Sequence, residues 1–92
     1  MLGLNDKPYA VEYLKQVVEE DIPSLPKKIR NTIKQAIEQR LATDPIGFGK
    51  PLQYSLKGHR RLRVSHYRIV YRINANKHTV TIVAIKHRKD IY

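Results

Sequence analysis

Arg60-Arg61-Leu62-Arg63-Val64-Ser65-His66-Tyr67-Arg68-Ile69-Val70-Tyr71-Arg72-Ile73 reads as two strands joined by a tight connection at Ser65-His66. Successive strand residues point to opposite faces of a sheet. In the first run Arg61 and Arg63 therefore share one face, and Leu62 and Val64 the other. In the second, Arg68, Val70 and Arg72 lie opposite Tyr67, Ile69, Tyr71 and Ile73. If the runs pair as a hairpin, Arg61, Arg63 and Arg68 converge on one concave side of the sheet.

Reading outward, Asn74–His78 is rich in turn formers, and Thr79–Ile85 is a nearly continuous β-branched run. Such a run predicts a central strand buried on both faces. The final segment, Lys86 to Tyr92, would bring Arg88 and Tyr92 to the same edge. Upstream, Tyr9–Leu14 alternates as a short strand, and Val17–Leu25 is helix-prone until Pro23 and Pro26. Ser24 is a candidate N-cap for the next helix, with Pro26 in its first turn. That helix, Lys27–Thr43, carries Ile29, Ile33, Ala36, Ile37 and Leu41 at spacings of three and four, a core-facing stripe. It ends at Asp44-Pro45. Gly47, Gly49 and Pro51 make a connection that lacks the ending of a phosphate loop, and Gln53–Leu56 is a possible short strand. The predicted fold is α+β: two N-terminal helices packed on one face of a mostly antiparallel, twisted sheet. The element order is β-α-α-β-β-β with a short C-terminal segment, in one domain over residues 1–92.

Charge is distributed unevenly along the chain. Residues 1–56 hold eight basic and seven acidic side chains, a net of +1, whereas residues 57–92 hold ten basic side chains and one acid, a net of +9. Segregated positive charge repels itself in the folded state and points to a polyanionic partner. The plainer alternative is a solvated basic face that only confers solubility. With no cysteine, neither a disulfide framework nor a thiolate zinc site supports the small core. The start, MLGLNDKP, lacks a secretory pattern, and no apolar run approaches a membrane span. A soluble cytoplasmic protein without membrane association is the expectation.

The converging guanidiniums suit RNA phosphodiester chemistry. They bind phosphate oxygens bidentately, stay charged, and stabilise the negative charge that develops when a 2′-hydroxyl attacks the adjacent phosphate. Tyr92 can stack on an unpaired base. Lys57, Arg60, Lys86 and Lys89 supply further positive charge for RNA binding. Asp90 stands alone, so no carboxylate cluster supports a two-metal nuclease, and no cofactor or metal is called for. His87 can shuttle a proton, although a lone histidine at a strand end also serves structure. Arg72 reads as an edge charge, Tyr67 and Tyr71 read as core, and His59, His66 and His78 in or near turns are assigned no role.

Leu56-Lys57-Gly58, Arg61-Leu62-Arg63-Val64, Tyr67-Arg68-Ile69-Val70-Tyr71 and the ending His87-Arg88-Lys89-Asp90-Ile91-Tyr92 together resemble the RelE/ParE superfamily of type II toxins, over nearly the whole chain. The resemblance implies a ribosome-dependent endoribonuclease that cleaves mRNA in the A site of the 70S ribosome and is held inactive by an acidic, RelB-like antitoxin. By analogy Arg61 and Arg63 form the basic strand pair. Arg68 stabilises the phosphate in the transition state, Arg88 assists the leaving oxygen, and Tyr92 stacks on a base. Well-known members carry lysines at the strand pair, one of them thought to act as base; arginine is a poor proton acceptor. Either charge stabilisation and ribosomal positioning carry the rate, or His87 takes part in proton transfer. A ParE-like inhibitor of DNA gyrase that cuts no RNA, and a non-catalytic RNA-binding module, are the competing readings.

Overall fold

The computed structural model describes residues 7–53 and 57–90. At its centre β3 (Arg60–Val64) and β4 (Tyr67–Asn74) pair antiparallel, Val64 opposite Tyr67, with Ser65-His66 as the two-residue connection. Ser65 takes a φ of 57° to close the loop, the left-handed geometry such short hairpin loops require. β5 (Thr79–His87) runs antiparallel along the other side of β4, and β1 (Ala10–Tyr13) lies parallel against β5. A two-residue strand, β2 (Lys50–Pro51), pairs with β3 and completes a five-stranded sheet ordered β1-β5-β4-β3-β2. The fold is α+β, as expected, with one parallel strand pair.

Helical segments cover one face of this sheet. A π-type turn at Val17–Asp21 is followed by α1 (Lys27–Ala36), which widens into a second π-type turn at Ile37–Leu41. Ile33, Ala36, Ile37 and Leu41 are buried, as the stripe requires, and Ile29 is half-buried. They pack into one core with Val17, Leu25, Leu62, Val64, Ile69, Tyr71, Val80, Ile82 and Ile85. The register places Arg61, Arg63, Arg68 and Arg72 on the opposite face. No helix among the described residues is long and apolar enough to cross a membrane.

Three local expectations need correction, and a fourth lies mostly outside the described residues. Ser24 does not cap α1: its hydroxyl donates back to Asp21 O at 2.8 Å, and Pro26 occupies the N-cap with φ −55° and ψ 145°. The helix stops at Leu41 rather than Thr43, whose hydroxyl turns back to Gln39 O at 2.7 Å. The strand upstream of β3 is Lys50–Pro51, whereas the expected strand at Gln53–Leu56 lies mostly outside the described residues and Gln53 itself is not in a strand. The apolar run of β5 does not reflect burial on both faces. Val70 pairs with Ala84 but Tyr71 with Ile82, so Val83 is an extra residue that shifts the alternation. Ile82 and Ile85, three apart, thereby both reach the core.

The connection before β2 is itself built. Asp44 accepts from Gly47 N–H at 3.0 Å and caps a short helix, α2 (Pro45–Phe48), with Pro45 in its first turn. The buried Tyr71 hydroxyl donates to Pro45 O at 2.6 Å. Arg60, directly opposite Tyr71 in the ladder, donates through Nη2 to Ile46 O at 2.7 Å and to Gly49 O at 2.8 Å. Gly49 has extended backbone; space is what fixes it as glycine, because a Cβ there would fall on the Tyr71 hydroxyl and lie 2.9 Å from Arg61 O. Gly49→Ala is expected to destabilise the fold by about 1–3 kcal/mol, the cost of overpacking. In urea denaturation its cost should shrink in a Tyr71→Phe background, where the clashing oxygen is gone.

Candidate functional site

The register creates the site. Arg63 faces Arg68 directly across the β3–β4 ladder, and Arg68 faces Lys86 across β4–β5. Like charges placed opposite one another on neighbouring strands destabilise a sheet. Arg88 joins them from the closing turn of the chain (Arg88–Asp90), held there by its N–H, which donates to His66 O at 2.8 Å. The result is a cleft of about 120 Å³ lined by Arg63, Ser65, His66, Tyr67, Arg68 and Arg88. Arginines from three elements thus line one small space, and among the described residues that line it none is a carboxylate. Arg68 is half-buried, while Arg63, His66 and Arg88 are exposed. Such a set is suited to holding a phosphate group.

Other candidate residues sit elsewhere. Arg61 shares the face but lies one position further along, between Val70 and Lys50, outside the lining of the cleft. Lys57 and Lys89 are exposed in turns outside the cleft. Arg60 departs from its expected RNA-binding role: its guanidinium holds the turn around α2, because its register position points it to the helical side. Lys86 is likewise engaged within the protein. Beyond Tyr13, β1 no longer covers β5, and Asp21 takes over the bare edge. Its buried carboxylate accepts from Ile85 N–H at 2.9 Å and from Lys86 Nζ at 2.8 Å. Tyr92 lies outside the described residues. Among those described, no group of three or more His, Cys, Asp or Glu side chains is placed to hold a metal ion.

His87 also departs from expectation. It is paired with Tyr67, one residue out of phase with the Arg68–Lys86 pair, and so belongs to the helical face. Its ring meets Tyr67 edge-on at 5.1 Å, and its Nδ1 accepts from Lys89 N–H at 3.1 Å. It lines a separate hollow with Ser24, Leu25 and Asp90. The histidine that lines the arginine cleft is His66, its ring 6.1 Å from the His87 ring between centroids. Sequence reading assigned His66 no role because it lies in a turn. A two-residue loop between two site-bearing strands was the available signal, since it must deliver its own side chains to the same end of the sheet.

Residues 7–92 match the family model of the ParE toxin of type II toxin-antitoxin systems, parDE. The chain belongs to the RelE/ParE superfamily of type II toxins. It is similar to toxin RelG of Mycobacterium tuberculosis, 34% identical over 85 residues that cover 92% of this chain and 97% of the relative. Toxin RelE of the same organism is 33% identical over 88 residues, covering 96% of this chain and 90% of the relative. Among solved structures, the toxin-antitoxin complex RelBE2 from M. tuberculosis superposes with a TM-score of 0.83 at 32% identity, covering 90% of this chain and 94% of that one. The isolated E. coli RelE toxin, at 17% identity and a TM-score of 0.71, shares the fold. The chain is therefore a toxin of the type II class, and its arginine cleft lies at the Ser65-His66 end of the β3–β4 hairpin.

Charge also shifts titration near the site. The hydrogen bond and attraction to Asp21 raise the Lys86 ammonium above its usual 10.5, against a smaller opposing effect of burial. A folded-state value above the unfolded one stabilises the fold fully below about 10.5, and that contribution disappears as pH rises through the elevated value. Lys86→Met should accordingly be less stable than the unmodified protein from neutral to mildly alkaline pH. The gap should close above about 10.5 in urea titrations run pH by pH. Asp21→Ala strands the buried Ile85 N–H as well and is expected to cost more, about 1–3 kcal/mol.

Proposed function

We propose that this toxin is a metal-independent endoribonuclease that cuts mRNA in the ribosomal A site and so arrests translation. The observation that carries the reading is the meeting of Arg63, Arg68 and Arg88 around one cleft. A phosphodiester seated there would have its non-bridging oxygens held by guanidiniums that cannot lose their charge. As the 2′-hydroxyl attacks, the phosphorane gains negative charge, and donors already in place stabilise it without reorganising. Arg68, in the middle of the ladder and half-buried, is the phosphate clamp. Arg88, on the terminal turn, reaches the leaving 5′-oxygen, and Arg61 steadies the neighbouring backbone. Tyr92 is assigned to stacking on a base of the codon.

The basic second half of the chain supports a large polyanionic partner, the ribosome with its message, in the cytoplasm. The antitoxin complex of the M. tuberculosis relative supports a RelB-like partner here too. Charge complementarity makes an acidic segment that folds over the arginine face the expected form of that antitoxin.

Induced expression in bacteria should stop growth with mRNA cut at codon positions, seen by primer extension. Arg68→Ala and Arg88→Ala should relieve the arrest, with losses on the order of 10²-fold or more in cleavage. The family model that matches the chain is named for the ParE toxin of parDE systems, and inhibition of DNA gyrase is the second reading. Intact messages together with induction of the DNA-damage response would decide for gyrase inhibition and against RNA cleavage.

A further inference from the structure

The cleft presents a chemical problem. Attack by a 2′-hydroxyl requires something to take its proton, and arginine does not do so at physiological pH. Of the residues that line the cleft, Arg63, Arg68 and Arg88 are fixed cations, and Ser65 and Tyr67 carry hydroxyls whose ordinary pKa values lie far above neutrality. Among the described lining residues, His66 is the one whose side chain, a neutral imidazole, offers a nitrogen lone pair to accept that proton. His87, the imidazole favoured by its place in the sequence, lies on the other face with Tyr67 against its ring and Lys89 N–H on its Nδ1.

The position of His66 is defended by the fold. It is the second residue of a two-residue loop whose ends are locked by the Val64–Tyr67 pair. Its carbonyl accepts the Arg88 N–H, tying it to the turn that carries the third guanidinium. Among the described residues, the charged and titratable groups that line the cleft with it are Arg63 from β3, Tyr67 and Arg68 from β4 and Arg88 from the closing turn, and the His87 ring at the end of β5 lies 6.1 Å from its own.

We infer that His66 is the proton acceptor of this ribonuclease, taking the 2′-hydroxyl proton of the nucleotide whose phosphate the arginines hold. The inference rests on the reading of the cleft as an RNA-cleaving site. In the step, the 2′-oxygen forms a bond to phosphorus as its proton passes to the neutral imidazole. The bond from phosphorus to the 5′-oxygen breaks, and that oxygen takes a proton from solvent water. The products are a 2′,3′-cyclic phosphate and a free 5′-hydroxyl, and the imidazolium returns its proton to solvent. No net charge or electrons are gained or lost.

Single-turnover cleavage of a message held in ribosomes, followed against pH, tests this assignment. The unmodified toxin should gain rate as pH rises through the range where imidazoles titrate. His66→Gln should lose about 10²- to 10⁴-fold in rate, the usual contribution of a general base, together with that rise. It should still bind a message blocked by 2′-O-methylation. Added imidazole should restore part of the rate to His66→Gly. A His66→Gln toxin with full rate and an unchanged profile, beside an inactive Arg68→Ala toxin, would overturn His66 as the acceptor and leave the cleft as the cleavage site. Loss of rate with the pH response intact and no imidazole rescue would also overturn it, as would disappearance of the pH response in His87→Gln instead. An unmodified toxin that cuts no RNA removes the cleavage reading itself.

Discussion

Pairing of Arg63 with Arg68 across a two-residue hairpin is the constraint on which the rest of the molecule depends. Leu62 and Val64 on one strand, with Ile69 and Tyr71 on the other, must all face the helices. Strand alternation then leaves the arginines no choice of face. A slip of one residue would bury guanidiniums and expose the core, so hydrophobic burial enforces the charged geometry. Facing arginines in a ladder work against folding, and a phosphate between them would turn that cost into binding. The site and the core are therefore two sides of one register.

The other strands complete what the hairpin begins. The extra residue at Val83 lets β5 keep Ile82 and Ile85 in the core while changing phase for its last residues. That change sends Lys86 to the arginine side and His87 to the helical side. Asp21 closes the edge that β1 leaves open and draws Lys86 into an ion pair. Tyr71 and Arg60 hold the turn before β2 from beneath the sheet, away from any ligand.

Much of this was legible from residues alone, for identifiable reasons. The hairpin, the α1 stripe and the segregation of Arg61, Arg63 and Arg68 from the apolar residues are consequences of short-range periodicity. What escaped depends on contacts between distant segments. The extra residue in β5 has no signature in a run of β-branched side chains, so the sequence does not show which face His87 joins. Arg60 lies in phase with Leu62 and Val64, on the helical side, but only the approach of Ile46 and Gly49 shows what it binds there. Ser24 has the chemistry of a cap, but its hydroxyl donates back to Asp21 O and Pro26 takes the N-cap position. His66 looked like a turn residue, and it is one; the arrival of Arg88 beside it is a tertiary event.

Convergence of the three guanidiniums on a single phosphate is tested most directly by NMR. The side-chain Nε–Hε signals of arginine would be followed while an uncleavable 2′-O-methyl oligonucleotide is added to the intact toxin. The expected result is that the signals of Arg63, Arg68 and Arg88 shift together and saturate with one affinity, while Arg60, bound within the fold, stays in place. Independent shifts at separate affinities, or a response centred on other basic residues, would contradict a common phosphate site.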